Sequence, residues 1–148
     1  MGVLKNGYLA CNGNNKIGIW DTDSGSKVRT ITGNADVLNV KSFVELQSGL
    51  LAISRYDTAI EIRDIINGNL IRTLTGHAGY IEALVELRNG YLASGGLYPD
   101  STIKIWNTDS GSLVTTIPAS STAVNSLALL QNGYLASSGS GIKIWDIK

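Results

Sequence analysis

"NGYLA" occupies Asn6–Ala10, and it returns unchanged at Asn89–Ala93 and Asn132–Ala136, with a softened copy, "SGLLA", at Ser48–Ala52. The copies begin 42, 41 and 43 residues apart. A fixed period of this size marks a chain built from one supersecondary unit used again and again. A second motif keeps step: "KIGIWD" at Lys16–Asp21, "AIEIRD" at Ala59–Asp64, "TIKIWN" at Thr102–Asn107 and "GIKIWD" at Gly141–Asp146. A third is "TDSGS" at Thr22–Ser26 and Thr108–Ser112, with "INGN" at Ile66–Asn69 in the matching place.

Each unit reads as strands. "IKIW" alternates with period two and is rich in Ile and Trp, both residues that suit a pleated surface. Asn-Gly between apolar runs is a hairpin signal, because both residues tolerate positive φ. "TDSG" supplies a second turn, and "TGHAG" or "TGNAD" a third. One unit is therefore four antiparallel strands, expected in the 76–116 stretch at Tyr80–Leu87, Tyr91–Ser94, Thr102–Trp106 and Leu113–Ile117. "IEALVEL" and "YLAS" are apolar on both faces, so such a sheet needs a neighbour on each side. Stacking twisted four-stranded sheets around an axis meets that need, which is the β-propeller arrangement. The expected fold is all-β, a single module of four repeats at about 1–31, 32–74, 75–117 and 118–148.

Composition excludes several functions. Lys plus Arg number 12, Asp plus Glu number 12, and like charges do not cluster. The electrostatic footprint of a nucleic-acid or anionic-membrane binder is missing, and no apolar run approaches the length of a membrane span. "MGVLKNG" shows neither a secretory leader nor a myristoylation signal. One Cys, Cys11, permits no intrachain disulfide, and Asn-x-Ser/Thr is absent. These absences point to a reducing, cytoplasmic setting. One His and one Cys leave no metal-ligand cluster, so neither metal nor cofactor is expected.

"GH" at Gly76-His77, "LASGG" at Leu92–Gly96, "TIKIWN" after Asp100, and "IWD" at Ile19–Asp21 and Ile144–Asp146 resemble the WD-repeat β-propeller family, over essentially the whole chain. The resemblance implies a hydrogen-bonded tetrad of His, Ser or Thr, Asp and Trp inside a blade. The third repeat supplies all four as His77, Ser94, Asp100 and Trp106. The others depart. The first has Cys11 for Ser, with Asn14 or Asn15 for Asp. The second has Asn34 for His, Ile53 for Ser and Arg63 for Trp, and keeps Asp57. The fourth has Ser120 for His, keeps Ser137 and Trp145, and lacks the Asp. The last blade also stops after its third strand. Family rings hold more than four blades, most often seven, so the resemblance implies a partial ring. A second chain joined head to tail would complete an eight-bladed one.

Nothing in the sequence forms a nucleophile–base–orienter set, and no enzyme is expected. His77 reads as a structural tetrad member. The Asp after each third strand and Trp20, Trp106 and Trp145 recur in every blade or nearly so, which marks scaffold and core; Cys11 reads as a small buried apolar residue. "SSGSGIKIW" at Ser137–Trp145 lacks the Lys-Ser/Thr of a phosphate cradle and reads as a short hairpin. The variation between repeats falls on the loops of one face: Asn34, Asp36, Arg55, Tyr56, Tyr80, Leu97 and Tyr98, with Pro99. Tyr and Arg are the residue types that dominate interface energy. The expected function is a non-catalytic protein–protein interaction scaffold with an unidentified protein partner. A glycan- or small-ligand-binding propeller using the same Tyr residues is the alternative, as is a piece of a larger propeller protein without separate activity.

Overall fold

The computed structural model describes residues 1–13, 16–32 and 40–147. Asn14, Asn15, Asn34 and Asp36 lie outside these. The described residues form strands without helix, in four antiparallel sheets. Blade one contains β1 (Gly2–Val3), β2 (Leu9–Gly13), β3 (Lys16–Trp20) and β4 (Lys27–Thr32). Blade two contains β5 (Val40–Glu45), β6 (Leu50–Arg55), β7 (Ala59–Asp64) and β8 (Leu70–Thr75). Blade three contains β9 (Ile81–Glu86), β10 (Leu92–Gly96), β11 (Thr102–Trp106) and β12 (Leu113–Pro118). Blade four has only β13 (Ser126–Leu129), β14 (Leu135–Ser138) and β15 (Ile142–Trp145). Strands pair in chain order within each blade, and β9 runs beside both β5 and β13, so the first strand of each blade is innermost.

The repeated "NGY", replaced by "SGL" at Ser48–Leu50 in blade two, makes the first turn of each blade, in a geometry that differs from a two-residue hairpin. Leu4 N–H donates to Tyr8 O at 2.7 Å and Gly7 N–H to Leu4 O at 2.9 Å. Gly7 takes φ 86°, while among the described residues Ser101 is the only non-glycine at positive φ. The turn is thus longer than two residues, with glycine alone in the left-handed region. The asparagine acts through its side chain. Asn6 Oδ1 accepts the Tyr8 N–H at 3.1 Å, and Asn89 and Asn132 repeat this with Tyr91 and Tyr134. The Asp of "IWD" likewise caps the next turn. Asp21 Oδ1 accepts the N–H groups of Asp23 and Ser24 at 2.8 and 3.0 Å, which hold its carboxyl below the usual range. Asp64 and Asn107 repeat the cap.

Three seams hold the blades together. The alternation of β2 and β3 sends Ala10, Ile17 and Ile19 toward blade two, where they meet Leu51 and Ile53. Ala52, Ile60 and Ile62 meet Ile81, Leu84, Leu92 and Trp106 of blade three. Ala93, Ile103 and Ile105 meet Val124 and Leu135 of blade four. Each Ala-Ile-Ile set is at most 4% exposed. The fourth set, Ala136, Ile142 and Ile144, has no blade over it, and Ile142 is 80% and Ile144 52% exposed. At the other end Trp20 is 37% exposed and Cys11 half-buried. Both were expected in the core. Cys11 stands where the other blades bury Ile53, Ser94 and Ser137, and Trp20 where they bury Arg63 and Trp106 and half-bury Trp145, also expected in the core; the face that Cys11 and Trp20 occupy has no blade packed on it. The four blades form an open arc.

Polar stitches repeat along the seams. Lys5 N–H donates to Glu45 Oε2 and Gln47 N–H to Glu86 Oε1, each at 2.6 Å. Arg29 reaches Ile65 O of the next blade at 3.4 Å, and Arg72 reaches Asp109 O and Ser110 O at 2.7 and 3.0 Å.

Candidate functional site

The four polar residues of blade three meet inside the sheet. His77 comes from the turn before β9, Ser94 from β10, Asp100 from the loop before β11, and Trp106 from the end of β11. Ser94 pairs with Lys104 across the strands, so Trp106, two residues on, shares its face. Trp106 Nε1–H donates to Ser94 Oγ at 2.8 Å, Ser94 Oγ lies 2.7 Å from His77 Nε2, and His77 Nδ1 is in hydrogen-bond contact with Asp100 Oδ2. One proton arrangement satisfies every member. The indole donates to the serine, the serine hydroxyl to Nε2, and Nδ1–H to the carboxylate, which requires a neutral imidazole. Burial pushes the His77 pKa down, against the pull of Asp100. Burial alone would raise Asp100. Hydrogen bonds from Thr102 Oγ1–H at 2.6 Å, from His77 and from Ala78 N–H at 3.1 Å outweigh it and hold the carboxyl below its ordinary value.

Glycines make room for this chain. Gly76 takes φ 145°, and a Cβ there would also press on the Trp106 ring at 3.3 Å. A Cβ at Gly96 would sit 2.7 Å from Asp100 Oδ2 and 2.8 Å from His77 Nδ1. The extra residues Leu97–Pro99 do not displace Asp100, because the turn closes on itself through Asp100 N–H to Leu97 O at 2.9 Å.

Blade two solves the same seam position with charge. Arg63 stands where blade three has Trp106, and Glu61 where it has Lys104. Glu61 Oε2 accepts from Arg63 Nε at 2.8 Å and from Arg55 Nε at 3.3 Å. All three side chains are buried. Burial would raise the Glu61 carboxyl, but the hydrogen bond from Arg63 and the charges of both arginines lower it overall. Sequence reading missed this cluster. Its signal was there in "AIEIRD", where Glu61 and Arg63 alternate with the isoleucines and so share one face. The cluster also corrects the assignment of Arg55 to the partner face: at 1% exposure the side chain is turned inward to Glu61. Blade four keeps half of the tetrad, Trp145 Nε1–H to Ser137 Oγ at 2.9 Å, while Ser120 Oγ accepts the Thr122 and Ala123 N–H groups instead.

On the loop face the remaining aromatics sit at the surface. Tyr56 and Tyr80 meet edge to face, with ring centroids 5.7 Å apart. Lys41 Nζ lies 4.4 Å from the Tyr56 centroid and pairs with Glu82 at 3.0 Å; hydrogen bonds to Tyr56 and Glu82 raise the lysine pKa. Leu97 N–H donates to Tyr80 O at 2.7 Å, which ties the 97–101 loop to the Tyr pair. Tyr98 at its tip is 76% exposed. The structure thus joins Tyr56, Tyr80 and Leu97 and leaves Tyr98 projecting beside them.

Comparison with known proteins agrees with this architecture. The family model of the WD domain, G-beta repeat, matches residues 68–107 and 111–146. These matches cover half of the sequence, and the chain belongs to the WD-repeat family. Each match spans the last strand of one blade and the first three of the next, so the sequence repeat is offset from the blade by one strand. The WD40 β-propeller domain of Doa1 superposes with a TM-score of 0.85 at 23% identity, over 99% of this chain and 49% of that one. A chain in the mitotic checkpoint complex gives a TM-score of 0.79 at 28% identity, over 93% and 44%. The chain spans about half the length of these structures. No curated protein matches it. WD-repeat domains serve in general as protein-interaction scaffolds. Among the described residues, no helix is long and apolar enough to cross a membrane.

Proposed function

We propose that this chain is a non-catalytic protein-interaction scaffold that binds a protein partner through the loop face bearing Tyr56, Tyr80, Leu97 and Tyr98. The observation that carries this reading is the Tyr56–Tyr80 pair, held by Lys41 and exposed at 40% and 49%. Preorganised aromatics lose little freedom on binding, and truncating a central one costs about 2 kcal/mol or more. One of the similar structures is itself a chain within a multiprotein complex. The tetrad and the Arg55–Glu61–Arg63 cluster stiffen the platform and make no contact with the partner. A Tyr56→Ala/Tyr98→Ala variant should keep its fold and lose partner binding in a pull-down. Unchanged recovery at unchanged strength would move the site elsewhere.

The same scaffold is proposed to assemble as a head-to-tail homodimer. The bare Ala136–Ile142–Ile144 face repeats the surfaces that receive a blade at the inner seams, and the Cys11–Gly18–Trp20 face of blade one is the incoming type of surface. Two such contacts give eight blades and a closed two-fold ring.

A further inference from the structure

We propose that the loop face receives a proline-rich segment in the polyproline II conformation, with one proline seated at the corner of Tyr56 and Tyr80 and another against Tyr98. This rests on the loop-face reading and names the chemistry of its occupant. Lys41 and Glu82 lie 3.0 Å apart and neutralise each other, and Lys41 Nζ also sits 4.4 Å from the Tyr56 ring centroid. Asp57, beside Tyr56, is half-buried, accepts the Ala59 N–H at 3.2 Å and has Arg55 as a countercharge. Tyr56, Tyr80, Leu97 and Tyr98 carry no charge. Among the described residues, the tyrosine patch therefore offers no unmatched charge to an acidic or a basic motif, and electrostatic complementarity favours a neutral ligand.

The main chain around the tyrosines is already engaged. Leu97 N–H donates to Tyr80 O at 2.7 Å, Asp100 and Ser101 N–H to Leu97 O at 2.9 and 3.3 Å, and Ala78 N–H to Asp100 Oδ2 at 3.1 Å. These groups offer an incoming strand no ladder, which leaves recognition to the side chains. Tyr56 and Tyr80 stand at 87° with centroids 5.7 Å apart, so their rings make a corner against which a pyrrolidine ring packs on two sides. Gly79 lets the 97–101 loop close on this corner, because a Cβ there would sit 2.3 Å from Leu97 O. Tyr98, 76% exposed at the loop tip, adds a third ring. Polyproline II repeats every three residues, about 9 Å along its axis. Prolines three apart therefore lie on one side of the ligand and meet the corner and Tyr98 in succession. The ligand's carbonyls make no internal hydrogen bonds and accept from the phenol hydroxyls. Both surfaces are ordered before they meet, which keeps the cost of association low.

The test titrates the whole chain with capped decaproline, and separately with a capped Gly-Ser peptide of equal length, oligolysine, oligoglutamate and a neutral oligosaccharide. Calorimetry should show saturable binding of decaproline alone. Its affinity should change by less than about twofold between about 50 and 500 mM salt, since no charge is used. Tyr80→Ala should weaken it about tenfold or more, and Tyr80→Phe, which keeps the ring, by no more than about threefold. Tyr98→Ala, at the exposed tip, should weaken binding without moving the melting temperature, and it decides the matter where Tyr80→Ala does not fold. The proposal is overturned if decaproline does not bind, if a charged peptide or the sugar binds more tightly, or if the alanine variants bind decaproline as the native chain does. Failure of decaproline to bind, with partner recovery still lost in Tyr56→Ala/Tyr98→Ala, sinks the proline reading alone. Recovery unchanged in that variant sinks the loop face itself.

Discussion

Ala52, Ile60 and Ile62 are sealed under blade three, while Ala136, Ile142 and Ile144 hold the same places in blade four with no blade over them, the alanine half-buried and both isoleucines in solvent. The motif is nearly identical. What differs is the presence of a neighbour. In a stacked repeat array, burial belongs to the interface between units and stability is approximately a sum of unit and seam terms. The inner seams then differ from each other in their polar content: an ionic cluster between blades one and two, a neutral hydrogen-bonded chain between two and three, and half of that chain between three and four.

The seams should rank accordingly. Glu61→Gln removes the carboxylate that Arg55 and Arg63 share and leaves two buried cations together, so a loss of about 3–5 kcal/mol is expected in chemical denaturation. Replacing all three with apolar residues of similar size should be far milder. If Glu61→Gln costs less than the triple replacement, the cluster does not carry the seam.

His77→Ala breaks the neutral chain and should cost about 1–3 kcal/mol. Its pH dependence sharpens the comparison. A histidine whose folded pKa lies below 6.5 contributes stability that is present above 6.5 and lost as pH falls through the folded value. Asp100 and Glu61, also lowered, act in the same sense below 3.8 and 4.5, while Asp57, raised by burial, acts in the opposite sense. Between pH 7 and 5 the melting temperature of the native chain should therefore fall more steeply than that of His77→Gln. Equal slopes would mean that the imidazole is not held neutral.

Ser120→Ala, at the matching site of the third seam, removes the acceptor of the Thr122 and Ala123 N–H groups and a 3.5 Å contact with Ser140 Oγ, and should cost less than about 1 kcal/mol. A loss equal to that of His77→Ala would refute the ranking. Ile144→Ser lies on the bare face. It should change the stability of the isolated chain by no more than about 0.5 kcal/mol, and it should weaken self-association.

Much of this was legible in the sequence. The period of "NGYLA" and the alternation in "IKIW" define blades, and Gly76-His77 with Ser94, Asp100 and Trp106 singles out the blade whose polar residues meet. The failures have physical causes. Trp20 repeats a core position, yet a repeat position guarantees burial only where a neighbouring blade exists. Arg55 falls beside a variable loop, but its direction is set by Glu61, which becomes its neighbour only through the pairing of β6 with β7. Asn34 and Asp36, assigned to the loop face, lie outside the described residues. The asparagine of "NGY" marks the turn correctly for a different reason from the one expected: it caps through its side chain and leaves positive φ to the glycine.

The mass of the purified chain in solution tests most directly whether the bare faces of blades one and four seek each other. Light scattering across a size-exclusion peak at micromolar concentration should give two chains for the native sequence and one for Ile142→Asp/Ile144→Asp. A native mass of one chain would contradict the head-to-tail ring.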